Sequence, residues 1–240
     1  MADSHKKVAF ITGSSKGIGK SLAEILLNNG FFVIGIARHQ TINHPSYSHI
    51  ALDLSDVSAV LEFSFPTYES VEKLVLVNNA ATLGHVAHTG DIENNSIPAT
   101  INVNLTSPLI LINKFVGTYR SNKAEKVIIN ISTGAAFHPV DGWLLYCSSK
   151  AGLEMATHVV NEDLRVTEQK NFHVFSVLPG IVDTEMQRKI RSVPETHFSR
   201  KQEFVEYKQS GQLRDPHEVA EKIYGIIDKP YLYSEETLRV

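Results

Sequence analysis

Tyr146 and Lys150 stand four residues apart in the run Tyr146-Cys-Ser-Ser-Lys150. On a helix that spacing puts the phenol and the ammonium on one face. A tyrosine at its ordinary pKa of about 10 is a poor acid–base catalyst at neutral pH. A cation about 4 Å away interacts with a phenolate by roughly 4 kcal/mol at an effective dielectric near 20, an idealised shift of about three pKa units. Lys150 is therefore expected to lower the Tyr146 pKa and make it a usable proton donor. Ser132 closes the strand before this helix and can offer a hydroxyl to the same oxygen. Taken alone, Tyr-x-x-x-Lys reads better as a surface helical pair, so the elements around it must decide.

The deciding stretch lies at the other end of the chain. Lys7-Val-Ala-Phe-Ile-Thr12 is a short apolar run with β-branched residues, which reads as a buried strand. Gly13-Ser14-Ser15-Lys16-Gly17-Ile18-Gly19 follows as a turn, and Lys20–Asn29 carries helical spacing up to Gly30. Glycines let backbone approach a ligand, and a helix N-terminus offers unpaired N–H groups to a phosphate. Three motifs compete for the loop. A P-loop needs glycine where Ser14 stands. A Gly-x-Ser-x-Gly nucleophile elbow fits Gly13–Gly17, with Ser15 as nucleophile, but no earlier strand supplies its oxyanion-hole loop. Thr12, Gly13, Gly17 and Gly19 complete a Thr-Gly-x-x-x-Gly-x-Gly pattern, which favours a dinucleotide.

The same alternation continues. Strands are expected at 31–37, 48–52, 73–78, 126–131 and 173–178, with a weak edge strand at 236–240. Helices are expected at 56–63, 93–119 (bent near Pro108), 145–169 and 215–228. Residues 181–210 lack continuous periodicity and suit a mobile substrate lid with one or two short helices. The pattern implies an α/β fold: a Rossmann-type, doubly wound parallel sheet in three α/β/α layers, as a single catalytic domain over 1–240. Ligands then gather beyond the strand ends, where Gly13, Arg38, Asp53, Asn79, Ser132 and Pro179 should converge.

The second strand ends Ile36-Ala37-Arg38-His39, without the carboxylate that would accept hydrogen bonds from ribose hydroxyls. A planar guanidinium suits a 2′-phosphate instead, and Lys16 adds a second cation, so the expected cofactor is NADP(H). A net charge of −3 gives no basic footprint for nucleic acid. No apolar run approaches a membrane span, and Met1–Lys7 leads into a strand too short for an export signal. With a single cysteine, Cys147, no intrachain disulfide can form, and a cytoplasmic enzyme is expected. His85 and His88 lack a third ligand, so no metal is expected.

With Thr12-Gly13, Gly17, Gly19, Asp53-Leu54, Asn78-Asn79-Ala80, Asn104, Ser132, Tyr146, Lys150, Pro179-Gly180 and Thr184, the chain resembles a short-chain dehydrogenase/reductase over nearly its full length. The resemblance implies that Tyr146 protonates a carbonyl oxygen while nicotinamide delivers hydride to the carbon. It implies that Lys150 binds the nicotinamide ribose, that Ser132 orients substrate, and that Asn104 holds a water in a proton relay. It places Asp53 and Leu54 against adenine. Ser14, Ser15, Ile18, Asn79, Ala80, Pro179, Gly180, Val182 and Thr184 complete the implied cofactor set. Ala81 departs from the family's usual glycine. The runs Gly142–Gly152 and Pro179–Gln187 are similar to the sepiapterin reductase and benzil reductase subgroup, which implies reduction of a ketone or vicinal dicarbonyl by a homodimer or homotetramer. Thr133, His138, Trp143, Leu144, Gly180 and Met186 join Ser132 as the expected substrate pocket, with Phe198, Phe204 and Tyr207 closing a lid or a subunit contact. A hydrolase built on Ser15 and a non-catalytic dinucleotide sensor are the alternatives.

Overall fold

The computed structural model describes residues 5–240; the first four, part of the stretch read for an export signal, lie outside the described residues. Strand and helix alternate from the start: β1 (Lys7–Thr12), α1 (Gly17–Asn28), β2 (Phe32–Ala37), β3 (Tyr47–Ala51), α2 (Val57–Glu62) and β4 (Lys73–Asn78). There follow α3 (Ser96–Ile101), α4 (Ser107–Tyr119), β5 (Glu125–Ile131), α5 (Leu144–Val166) and β6 (Phe172–Leu178). The chain closes with α6 (Glu185–Ser192), α7 (Lys201–Gln209), α8 (Pro216–Asp228) and β7 (Thr237–Arg239). Among the described residues the seven strands all run parallel, in the order β3-β2-β1-β4-β5-β6-β7. The order reverses beside β1, which puts the crevice for a ligand at the ends of β1 and β4.

Strand parity sorts the core into two layers. Ala9, Ile11, Val75, Val77, Val127, Ile129, Phe175 and Val177 pack with α1 and α8, against Leu22, Leu26, Val219 and Ile223. Val8, Phe10, Leu74, Leu76, Ile128 and Val174 face the other way, against Leu111, Phe115 and Tyr119 of α4 and Leu153 of α5. Edge-to-face contacts of Phe10 with Phe65 and Phe115 fix α4 to β1. On β5 the odd residues therefore face α1 and α8 while the even ones face α5. Asn130 follows that rule, its amide donating to Thr157 of α5 at 2.9 Å.

The helix expected over 93–119 with a bend at Pro108 is broken earlier. A π-helical turn occupies Asn102–Thr106, between α3 and α4. Proline has no N–H to return to the carbonyl four residues back, so the turn before Pro108 widens. Asn104 sits in that widened turn. Residues 181–210 carry α6 and α7, and Ile190, Val193, Phe198 and Phe204 are buried against Trp143 and Tyr146. α8 begins as the sequence indicates, with Asp215 accepting from the His217 N–H at 2.7 Å ahead of Pro216.

Candidate active site

The end of β1 is fastened to the end of β4 by one hydroxyl. Thr12 Oγ1 accepts from the backbone N–H groups of Asn79 (3.0 Å) and Ala80 (3.1 Å) and donates to Val77 O. The Asn79 side chain returns to the carbonyls of Thr12 and Gly13 at 2.9 and 3.2 Å. A methyl grafted on Gly19 would lie 2.3 Å from Asn79 Nδ2, so this position admits only glycine. Gly13 turns the chain at φ +69°, and a Cβ there would meet Ala80 Cα and Asn79 Nδ2 at 2.9 Å. α1 then starts at Gly17 with Lys16 as N-cap and no side chain capping it, which leaves its first-turn N–H groups for an anion. The crevice thus fits a dinucleotide pyrophosphate: glycines bring the backbone close, and the helix end supplies donors.

The expected cofactor residues divide around this crevice. Gly17, Ser15 and Lys16 lie at its rim, and Thr184 comes within van der Waals reach of Gly17. Ile18 is buried among the α1 and α8 residues. Ser14 is buried, with Oγ 3.1 Å from the Tyr47 hydroxyl, so its side chain is turned toward β3. Arg38 is exposed at the end of β2. The Asp53 carboxylate accepts from Ser55 N–H (2.9 Å) and Ser55 Oγ (2.8 Å). Those two bonds hold it below the usual carboxylate range, with the Arg38 charge adding to them. Leu54 is buried and takes the Ser107 hydroxyl on its carbonyl at 2.7 Å. Pro179 and Val182 are buried beyond β6, and Gly180 turns the chain at φ +73°.

Tyr146 and Lys150 project from the first turns of α5 and are both buried, at 7 % and 1 % exposure. The Thr133 hydroxyl lies by the Tyr146 phenol and works to lower its pKa, while the Ser132 hydroxyl is engaged by Glu154. Ser132 continues the even parity of β5 and faces α5, where its Oγ donates to Glu154 Oε2 at 2.8 Å. Glu154 also accepts from Ser176, and from Thr237 at 2.5 Å. Ser132 is therefore part of a buried carboxylate hub that ties β5, β6 and β7 to α5. Thr133 is one residue further, past the strand end, where its extended backbone (φ −164°) starts a short 3₁₀ turn at Gly134–Ala136. The sequence reading missed Glu154; its spacing of four from Lys150 and eight from Tyr146 puts it on the same inward stripe of α5.

Electrostatics at the pair also differ from expectation. Burial pushes the Tyr146 phenol up to about 12, and the nearby Cys147 adds to the rise; the Thr133 hydroxyl works against both. Burial lowers Lys150 to about 8, and its Nζ donates to the Ile131 carbonyl at 2.6 Å. The ammonium is drawn to the strand end, and desolvation outweighs any help it gives the phenolate. At neutral pH Tyr146 holds its proton and is fit to donate it. Asn104, fully buried, clamps the loop after β4: Oδ1 accepts from Thr82 N–H at 2.8 Å, and Nδ2 donates to Thr82 O (2.7 Å) and Ser149 Oγ (3.1 Å).

Beside Tyr146 lies an apolar wall of Leu83, Val86, Ala135, Trp143, Ile190, Val193, Phe198 and Phe204, with Met186 packed against it. Trp143 meets the Tyr146 ring edge-on at 5.6 Å and stacks on Phe198. Its Nε1 is buried without a hydrogen-bond partner among the described residues. Leu144 and His138 point to solvent. His85 Nδ1 accepts from Glu93 N–H, and His88 pairs with Asp141. Among the described residues no three potential ligands gather into a metal site, and no helix is long and apolar enough to cross a membrane.

This combination of a glycine-turn crevice and a tyrosine–lysine pair defines a nicotinamide-dependent oxidoreductase of the short-chain type. Residues 7–195 match the short chain dehydrogenase family, and the chain belongs to it. Benzil reductase ((S)-benzoin forming) of Bacillus subtilis is 30 % identical over 225 residues, 91 % of this chain and 92 % of that protein. Sepiapterin reductase of Mus musculus is 28 % identical, covering 92 % of each. Among solved structures, 4-hydroxyisoleucine dehydrogenase complexed with NADH superposes with a TM-score of 0.79 at 19 % identity, over 98 % of this chain and 96 % of that one, and shares the fold.

Proposed function

We propose that the protein reduces a ketone or vicinal dicarbonyl to the alcohol with NADPH, and that Tyr146 is the proton donor. The observation that carries this reading is a buried, protonated phenol beside the Thr133 hydroxyl at the foot of an apolar wall. Bound NADPH supplies the hydride. Tyr146 gives its proton to the carbonyl oxygen, Thr133 orients that oxygen with its hydroxyl, and Lys150 holds a positive charge beneath them. The lysine's seat between Tyr146 and the end of β5 suits a ribose contact as well. Leu83, Trp143 and Phe198 form an apolar wall that excludes water from the phenol. The unpartnered Nε1 of Trp143, whose ring meets Tyr146 edge-on, supports a dicarbonyl, whose second oxygen would satisfy a buried donor otherwise left unpaired. The names of the benzil and sepiapterin reductase relatives agree with this class.

NADPH is favoured over NADH by two exposed cations, Lys16 and Arg38, at the rim, and by an Asp53 carboxylate committed to Ser55. Arg38→Asp should raise the KM for NADPH about ten- to a hundredfold, the worth of one charge-assisted contact, and leave that for NADH similar or lower. An Arg38→Asp enzyme with undiminished NADPH preference would place the phosphate elsewhere. The segment 181–210 serves as the lid of a single domain spanning 1–240, and the enzyme works as a homodimer or homotetramer in the cytoplasm.

A further inference from the structure

The cation in the glycine loop already has a partner. Lys16 Nζ is ion-paired with Glu185 Oε2, across 169 positions of sequence. Glu185 is the first residue of α6 and follows Thr184, whose methyl would lie 3.3 Å from a Cβ placed on Gly17. The start of the lid segment thus rests on the rim of the dinucleotide crevice. Arg38 and Arg188 also act on the Glu185 carboxylate, which is held below its usual range by the Lys16 bond first and by these charges after it. One carboxylate therefore sits in the field of three cations, two of which are the groups expected to receive a 2′-phosphate.

We propose that Glu185 competes with the cofactor's 2′-phosphate for Lys16 and thereby sets how strongly this site prefers NADPH over NADH. This deepens the NADPH reading above and rests on it. Both anions call on the same ammonium, so a phosphate arriving at Arg38 and Lys16 must displace the Glu185 carboxylate from Lys16. The carboxylate thereby weakens binding of the phosphorylated cofactor and leaves the unphosphorylated one almost untouched. The same pair holds α6 on the glycine turn, so the phosphate that takes Lys16 also frees the lid's first turn to readjust.

The test uses calorimetric titration of the whole protein with two nicotinamide-free probes, adenosine 2′,5′-bisphosphate and AMP. Exposed pairs of this kind are worth little, so Glu185→Gln should tighten the bisphosphate by roughly two- to fivefold and leave AMP unchanged. The gain should vanish in a Lys16→Ala background, because the competition is for that ammonium, and it should shrink at high salt. A Glu185→Gln protein that binds the bisphosphate as wild type does, or more weakly, overturns the proposal. So does a gain that persists without Lys16. Wild-type protein that binds both probes equally would remove the NADPH reading itself and this inference with it. A bisphosphate preference that Glu185→Gln leaves unchanged removes the inference alone.

Discussion

Replacing Thr133 and Ser132 in turn separates two adjacent hydroxyls whose tasks the structure divides. Thr133→Ala deletes the hydroxyl beside the Tyr146 phenol. Losing one donor at a reacting oxygen costs about 2.7–4 kcal/mol of transition-state stabilisation, or roughly a hundred- to a thousandfold in kcat. The backbone contact it also loses, from Ala135 N–H at 3.3 Å, is long, so stability should change little. Ser132→Ala removes one of three hydroxyl donors from the buried Glu154 carboxylate. A bond to a charged group is worth about 1.5–3 kcal/mol, which lowers Tm by roughly 3–12 °C in a chain of this size. Turnover of the folded Ser132→Ala protein should stay within about threefold of wild type. The assay is carbonyl-dependent loss of NADPH absorbance beside a thermal melt, with Thr133→Ser expected to restore most of the activity. Turnover abolished in a well-folded Ser132→Ala protein, with Thr133→Ala near normal, would refute the parity argument that separates the two.

Two further expectations concern the site as a whole. Because burial lowers Lys150 to about 8 while Tyr146 lies near 12, kcat/KM for reduction should be level below about pH 7 and fall above pH 8 as the ammonium loses its proton. A profile flat to pH 10 would mean that Lys150 does not titrate there. Hydrogen exchange over residues 181–210 should slow when cofactor and ketone bind together, since its buried Ile190, Val193, Phe198 and Phe204 pack on the wall beside Tyr146. Equal exchange in the free and ternary states would remove the lid.

The sheet was legible because its strands are short, apolar and separated by turn residues, and parity then assigns each side chain to a layer. Parity also accounts for where Ser132 points. Asn130 and Ser132 share a face of β5, so a serine at the strand end belongs under α5, whereas Thr133 is freed by the turn that follows. Helical spacing placed Tyr146 and Lys150 on one face, but spacing carries no information on desolvation or on the Ile131 carbonyl that takes the ammonium. Pro108 announced an irregular helix, while the widening falls one turn earlier, where Asn104 clamps the loop after β4. The Lys16–Glu185 pair joins residues distant in sequence across two loops, and nothing local in either segment announces it.

The most direct test of the account is benzil-dependent oxidation of NADPH by wild type and by Tyr146→Phe, with NADPH binding followed separately by its fluorescence. Wild type should consume NADPH only when the diketone is present. Tyr146→Phe keeps the ring and loses the proton, so it should bind NADPH as wild type does and turn over at least about a hundredfold more slowly. Turnover in Tyr146→Phe close to that of wild type would contradict the assignment of Tyr146 as the proton donor.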